Sequence, residues 1–133
     1  MIIDTSALLA FFDELEPQHA AVVAVIETAD LCVVSPYVVV ELDYLVASRY
    51  GRAAELAVLQ ELAGGDWELA ALSDTDFASI VAVLEQYDQT VGVADAANLV
   101  LADRYHCDQI ATLDRRHFTY LHLPGGAPLS IVP

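Results

Sequence analysis

Short apolar runs alternate with helical stretches along this chain, and that alternation narrows the possible folds more than any other feature. Ile2-Ile3, Leu31-Cys32-Val33-Val34, Trp67 to Leu72, Gln109 to Leu113 and Pro128 to Val132 read as strands. The intervening stretches read as helices: Ser6 to Phe12, Pro17 to Thr28, Pro36 to about Arg49, and Ala53 to Ala63. Two more follow, one from the acidic cap Ser73-Asp74-Thr75-Asp76 to about Tyr87, the other with Asp95 in its first turn and ending near His106. Ser35-Pro36 joins an N-cap to a first-turn proline, Gly51 marks a break, and Gly64-Gly65 stops a helix. Residues 88–92 read as a loop. Leu31 to Val34 is apolar on both sides, as strands buried in parallel sheets are. This rhythm predicts an α/β fold: a single domain over 1–133, with a small parallel sheet flanked by helices on both faces.

Four acids stand where apolar segments meet the next element. Asp4 ends Met1-Ile2-Ile3, Glu41 interrupts the run from Tyr37 to Val40, Asp95 sits in Val93-Ala94-Asp95-Ala96, and Asp114 closes Ile110 to Leu113. Each alone would suit a plainer role: a cap for Asp4, a first-turn acid for Asp95, a solvated loop for Asp114 beside Arg115-Arg116, an arginine pair for Glu41. A carboxylate is costly to bury unless paired or bound to a cation, so four such acids together point to a hard divalent ion such as Mg²⁺ or Mn²⁺. In an open parallel sheet, ligands bind beyond the carboxyl ends of the strands, where Asp4 and Asp114 are expected. Thr112, two residues before Asp114, would point to the same side, and Asn98 would share a helical face with Asp95. Glu41 and Asp43 lie about 200° apart on one helix, so they cannot both face one ion, and periodicity does not choose between them. The all-round apolarity of that helix suits burial, or a subunit or partner interface.

Charge sets a further condition. The formal net charge is −15, and the five basic residues are all arginines: Arg49, Arg52, Arg104, Arg115 and Arg116. Such a surface repels nucleic acid and attracts cations and basic partners, so binding RNA would require bound metal and local arginines. No apolar run approaches the roughly 18 residues of a membrane span, and no basic leader precedes Asp4. A soluble, cytoplasmic protein without membrane association is expected. Cys32 and Cys107 read as reduced thiols, neither having a ligand-spaced neighbour beyond His106.

Ile2-Ile3-Asp4-Thr5-Ser6-Ala7-Leu8, the mid-chain Glu41, Ala94-Asp95-Ala96 and Thr112-Leu113-Asp114 together resemble a PIN-domain ribonuclease. More narrowly, they resemble the VapC toxin of a VapBC toxin–antitoxin pair, over essentially the whole chain. The segment from Thr112 to Phe118 and the chain length fit as well. The resemblance implies a PIN-like domain in which Asp4, Glu41, Asp95 and Asp114 are both the catalytic and the metal-holding residues, and so it prefers Glu41 to Asp43. Mg²⁺ is the implied cofactor, with Mn²⁺ able to substitute. Thr5, Ser6 and Thr112 would support these acids, with Asn98 behind them. The implied activity is that of an endoribonuclease using a metal-activated water, leaving 5′-phosphate and 3′-hydroxyl ends. Arg115 and Arg116 become candidates for contacting RNA phosphate. A VapB-type antitoxin, a homodimer, and tRNA or ribosomal RNA as substrate are implied too. His117 and His122 are left as surface or packing residues.

Two other enzyme classes also begin with an aspartate at a strand end, haloacid-dehalogenase phosphotransferases and receiver domains. Both need a lysine to balance a phosphoryl group, which this chain lacks, and the first also wants an aspartate where Ser6 stands. A PIN-like module that binds RNA or a partner without cleaving is the remaining alternative.

Overall fold

The computed structural model describes residues 1–87 and 91–133. The loop expected over 88–92 lies in part outside the described residues. The elements are β1 (Ile2–Ile3), α1 (Thr5–Phe12), α2 (His19–Glu27), β2 (Val33–Val34), α3 (Pro36–Tyr50), α4 (Arg52–Ala63), β3 (Glu68–Leu69), α5 (Asp74–Gln86), α6 (Val93–Arg104), β4 (Gln109–Ala111), α7 (Arg115–Phe118) and β5 (Ser130–Val132). The strands form one sheet in the order β3-β2-β1-β4-β5, parallel throughout. The expected α/β architecture is therefore observed, with β1 at the centre.

Alternation along the strands divides the core. Ile2, Val33 and Ile110 face one way, toward a cluster that includes Ile80 of α5 and Leu99 and Leu101 of α6. Ile3, Val34 and Ala111 face the other, toward Leu8 of α1, Val22 of α2, Leu42 of α3 and Leu62 of α4. Successive strand residues point to opposite faces, so even two-residue strands can serve two helical layers.

Several boundaries differ from expectation. The strand predicted over Trp67 to Leu72 pairs only at Glu68–Leu69. β4 stops at Ala111, so Thr112 and Asp114 lie past the strand, and Asp114 immediately precedes α7. That one-turn helix was not among the expected elements. Its Thr119 N–H bonds Arg115 O, and buried Phe118 and Leu121 anchor it to the core. The helix expected from Pro17 begins at His19, because the chain first turns through Glu16 and Gln18. α3 starts as predicted: Ser35 Oγ accepts from the N–H groups of Tyr37 and Val38. No helix among the described residues is long and apolar enough to cross a membrane.

A cap joins α5 to α6. The Asp76 carboxylate accepts from Ser73 N and Ser73 Oγ, each at 2.8 Å, while Asp76 N–H donates back to Ser73 Oγ at 3.2 Å. Arg104, the last residue of α6, reaches the same carboxylate at 2.8 Å. The Ser73 backbone and hydroxyl donors, with Arg104 behind them, hold the Asp76 carboxyl below its ordinary value. A carboxyl depressed by folding stabilises the fold above its ordinary pKa, and that contribution is lost as pH falls through the folded value. Asp76→Asn should cost about 1 kcal/mol at neutral pH, and its deficit against the wild type should narrow by about pH 3. Urea unfolding at the two pH values checks this.

Candidate active site

Asp4 combines two local roles. Its N–H donates to Ala111 O at 3.0 Å, continuing the β1–β4 pairing, and its side chain caps α1. Only 7% of the residue is exposed. Asp4 Oδ2 accepts from Ser6 Oγ at 2.7 Å, from Thr112 Oγ1 at 2.9 Å and from Ser6 N at 3.4 Å. Those donors are neutral, and no basic side chain among the described residues forms an ion pair with Asp4. The α1 N-terminus adds a favourable partial charge. Asp4 Oδ1 is less provided for: its one hydrogen-bond contact among the described residues is Asn98 Nδ2, at 3.5 Å.

The two hydroxyls also knit the surrounding chain. Ser6 Oγ accepts from Leu113 N at 2.9 Å, and Thr112 Oγ1 accepts from Asp114 N at 3.0 Å. Each hydroxyl has one proton, and both can spend it on Asp4, so their 3.1 Å separation is a close approach of two oxygens aimed at one carboxylate. The turn carrying Asp114 is thus suspended from the same atoms that hold Asp4. From the far side, Thr112 N–H donates to Val132 O in β5 at 2.9 Å.

Glu41 reaches the cluster from α3. Thr5 Oγ1 donates to Glu41 Oε2 at 2.6 Å, which brings this carboxylate beside the residue following Asp4. Glu41 is exposed, whereas Asp43 is half-buried further round the helix. Asp95 lies in the first turn of α6, where its Oδ2 accepts from Gly92 N at 3.0 Å. One turn on, Asn98 is 1% exposed, and its Oδ1 finds no hydrogen-bond donor among the described residues. Asp114, Arg115 and Arg116 line an open cavity of about 490 Å³ with Ser6 and Leu113. Arg115 also donates to the Pro133 carbonyl, an engagement with the chain's last residue that its sequence neighbourhood gave no reason to expect.

Asp4, Thr5, Ser6, Asn98 and Thr112 therefore meet directly. Glu41 joins through Thr5 and Asp114 through its backbone, while Asp95 lies one turn before Asn98 on α6 with its carboxylate on Gly92 N–H. Among the described residues, no three acids, histidines or cysteines stand in ready metal-ligand geometry. The chemistry of the donors nevertheless fits a hard cation. They are oxygens, and the most buried carboxylate lacks a counter-charge at an oxygen with lone pairs to spare. His122 is exposed, with Nδ1 against Tyr120 O, and has no part in the cluster. The side chain of His117 lies outside what the structure describes.

Ser6, expected only as support, ties the β1–α1 junction to the turn after β4. Ser6→Ala removes one of the Asp4 donors and leaves Leu113 N without its acceptor, so it should cost about 1–3 kcal/mol in urea unfolding. A loss too small to measure would mean that the Ser6 bonds do not hold the two turns together.

Comparison with known proteins agrees with this architecture. The PIN domain family model matches residues 1–121. Ribonuclease VapC26 of Mycobacterium tuberculosis is 58% identical over 135 aligned positions, covering all of both chains. Among solved structures, M. tuberculosis VapC20, described as a sarcin–ricin loop cleaving toxin, superposes with a TM-score of 0.77 at 16% identity, over 85% of this chain and 88% of that one. VapBC2 from Rickettsia felis, solved bound to a DNA fragment from its promoter, gives 0.73 at 13% identity over 99% and 98%. A toxin–antitoxin complex from Klebsiella pneumoniae gives 0.72 at 18% identity over 99% and 95%. At these identities the structural matches speak for the fold, and the full-length relative for the family. This chain belongs to the PIN domain family, in its VapC branch.

Proposed function

We propose that the protein is the toxin of a toxin–antitoxin pair, a divalent-metal-dependent endoribonuclease whose site is built on Asp4, Glu41, Asp95 and Asp114. The observation that carries this reading is the buried Asp4 carboxylate, fixed through Oδ2 by neutral hydroxyls and left with Oδ1 for a cation. The 58% identity with a protein named as a ribonuclease supports the same activity.

Mg²⁺, or Mn²⁺ in its place, would be held by the four acids. When bound, such an ion lowers the pKa of a water and neutralises charge on phosphate oxygens. The chain's own groups do the positioning. Ser6 and Thr112 fix Asp4, and Thr112 also fixes the backbone of Asp114. Thr5 holds Glu41 toward α1, and Gly92 N–H holds Asp95 at the start of α6. Fixed ligands need little reorganisation during reaction, which is how a supporting shell contributes to rate. Arg116 and Arg115 line the cavity beside Asp114 and on this reading contact RNA phosphate against the −15 background, Arg115 by leaving the Pro133 carbonyl. On this reading water attacks phosphorus, the P–O3′ bond breaks and the 3′-oxygen leaves as a hydroxyl, so the products carry 5′-phosphate and 3′-hydroxyl ends.

The acidic surface also favours a basic inhibitory partner, in keeping with a VapB-type antitoxin. The toxin–antitoxin complexes among the structural neighbours support that assignment. A homodimer would bring arginines from two subunits toward one groove.

Antitoxin-free protein is expected to cleave cellular RNA, either tRNA or ribosomal RNA, only with Mg²⁺ or Mn²⁺. Asp4→Asn should lower the rate about a thousandfold or more, in line with losing several kcal/mol of charge stabilisation. Mapping cut sites and end groups on total RNA checks this. Folded, metal-loaded protein that cuts no RNA would leave the non-catalytic binding module as the better reading.

A further inference from the structure

Every buried residue of α6 except Asn98 is alanine, valine or leucine. Asparagine is a poorer helix former than alanine or leucine, and here its amide is used at one end only. Nδ2 lies 3.5 Å from Asp4 Oδ1, longer than the roughly 2.7–3.2 Å of an ordinary N–H···O bond. Oδ1 is buried and has no donor among the described residues. Burying an amide oxygen in that way opposes folding, so packing alone would favour an apolar side chain. The amide nevertheless stands against the one Asp4 oxygen that Ser6 and Thr112 leave open.

Which end of the amide faces Asp4 depends on the charge beside it. A bare carboxylate favours the N–H end. A cation on Asp4 Oδ1 repels that end and attracts the carbonyl. The two arrangements differ by a half-turn about χ2, a broad torsion in asparagine. The turn brings Oδ1 close to the place of Nδ2, about 3.5 Å from Asp4 Oδ1. Adjacent oxygens on one Mg²⁺ stand roughly 3 Å apart when each bond is about 2.1 Å, so a small shift lets one ion take both.

We propose that the Asn98 carbonyl oxygen is a neutral ligand to the cation held by Asp4, the N–H end facing Asp4 when no cation is bound. This deepens the metal-dependent reading of the site and rests on it. Asn98 then takes a direct part, where the sequence suggested only support behind the acids. A neutral oxygen completes the coordination without adding to the repulsion among the carboxylates.

Mn²⁺ binding to the full chain tests this without recourse to RNA cleavage. The free ion is followed by electron paramagnetic resonance, in roughly 0.2 M salt to screen diffuse binding to the acidic surface. Asn98→Ala should bind Mn²⁺ about tenfold more weakly or worse. Its metal-free melting temperature should stay close to that of the wild type, because alanine is the better helix former and leaves no orphaned oxygen. Asn98→Asp keeps an oxygen in place and should bind Mn²⁺ at least as tightly as the wild type. Its metal-free form should melt lower, because two carboxylates then face each other. Undiminished affinity in Asn98→Ala would overturn the proposal and leave the metal reading standing. Asn98→Asp binding as weakly as Asn98→Ala would also overturn it, since the N–H end would then be the part that matters. A wild type that binds no Mn²⁺ would overturn the metal reading itself, and the role of Asn98 with it.

Discussion

Asp4 places a carboxylate at the end of the central strand, almost out of water and without an ion-pair partner among the described residues. Much of the surrounding structure follows from how that charge is accommodated. Ser6 and Thr112 lie more than a hundred residues apart, yet both aim a hydroxyl at Asp4 Oδ2. In doing so they bind the start of α1 to the turn after β4. β5 secures that turn from its other side through Thr112 N–H. A site defined this way is as rigid as the sheet beneath it, and Ile2 and Ile3 are fully buried on its two faces.

Much of this was legible in the sequence. The strand–helix rhythm, the cap at Ser35-Pro36 and the acids at element junctions are local signals, and each is written in a few adjacent residues. What escaped was non-local. The ladder ends after β4 because Leu113 N–H turns to Ser6 Oγ and Asp114 N–H to Thr112 Oγ1, and no window around Gln109 to Leu113 carries that information. α7 depends on Phe118 and Leu121 finding the core. The choice between Glu41 and Asp43 was symmetrical on the helix. The Thr5 hydroxyl, 36 residues away in sequence, contacts Glu41.

Charge is distributed to two ends of one sheet. At the carboxyl edge, acids converge on hydroxyls and an amide, suiting a small hard ion. At the amino edge of β2 and β3, Glu27, Asp30, Glu61 and Asp66 line a cavity with Phe11 and Trp67. A net charge of −15 raises the local concentration of cations at both, and leaves phosphate recognition to the few arginines beside Asp114.

Whether Asp4 is kept charged for a cation rather than for stability is tested most directly by thermal unfolding of wild type and Asp4→Asn with and without Mn²⁺. Asparagine can still accept from Ser6 and Thr112, and Asn98, by turning its amide, can offer Oδ1 to the new donor. Metal-free Asp4→Asn should therefore be at least as stable as the wild type, and Mn²⁺ should raise the melting temperature of the wild type alone. A metal-free variant that is markedly less stable, with a wild type indifferent to Mn²⁺, would make Asp4 a structural cap and contradict the account.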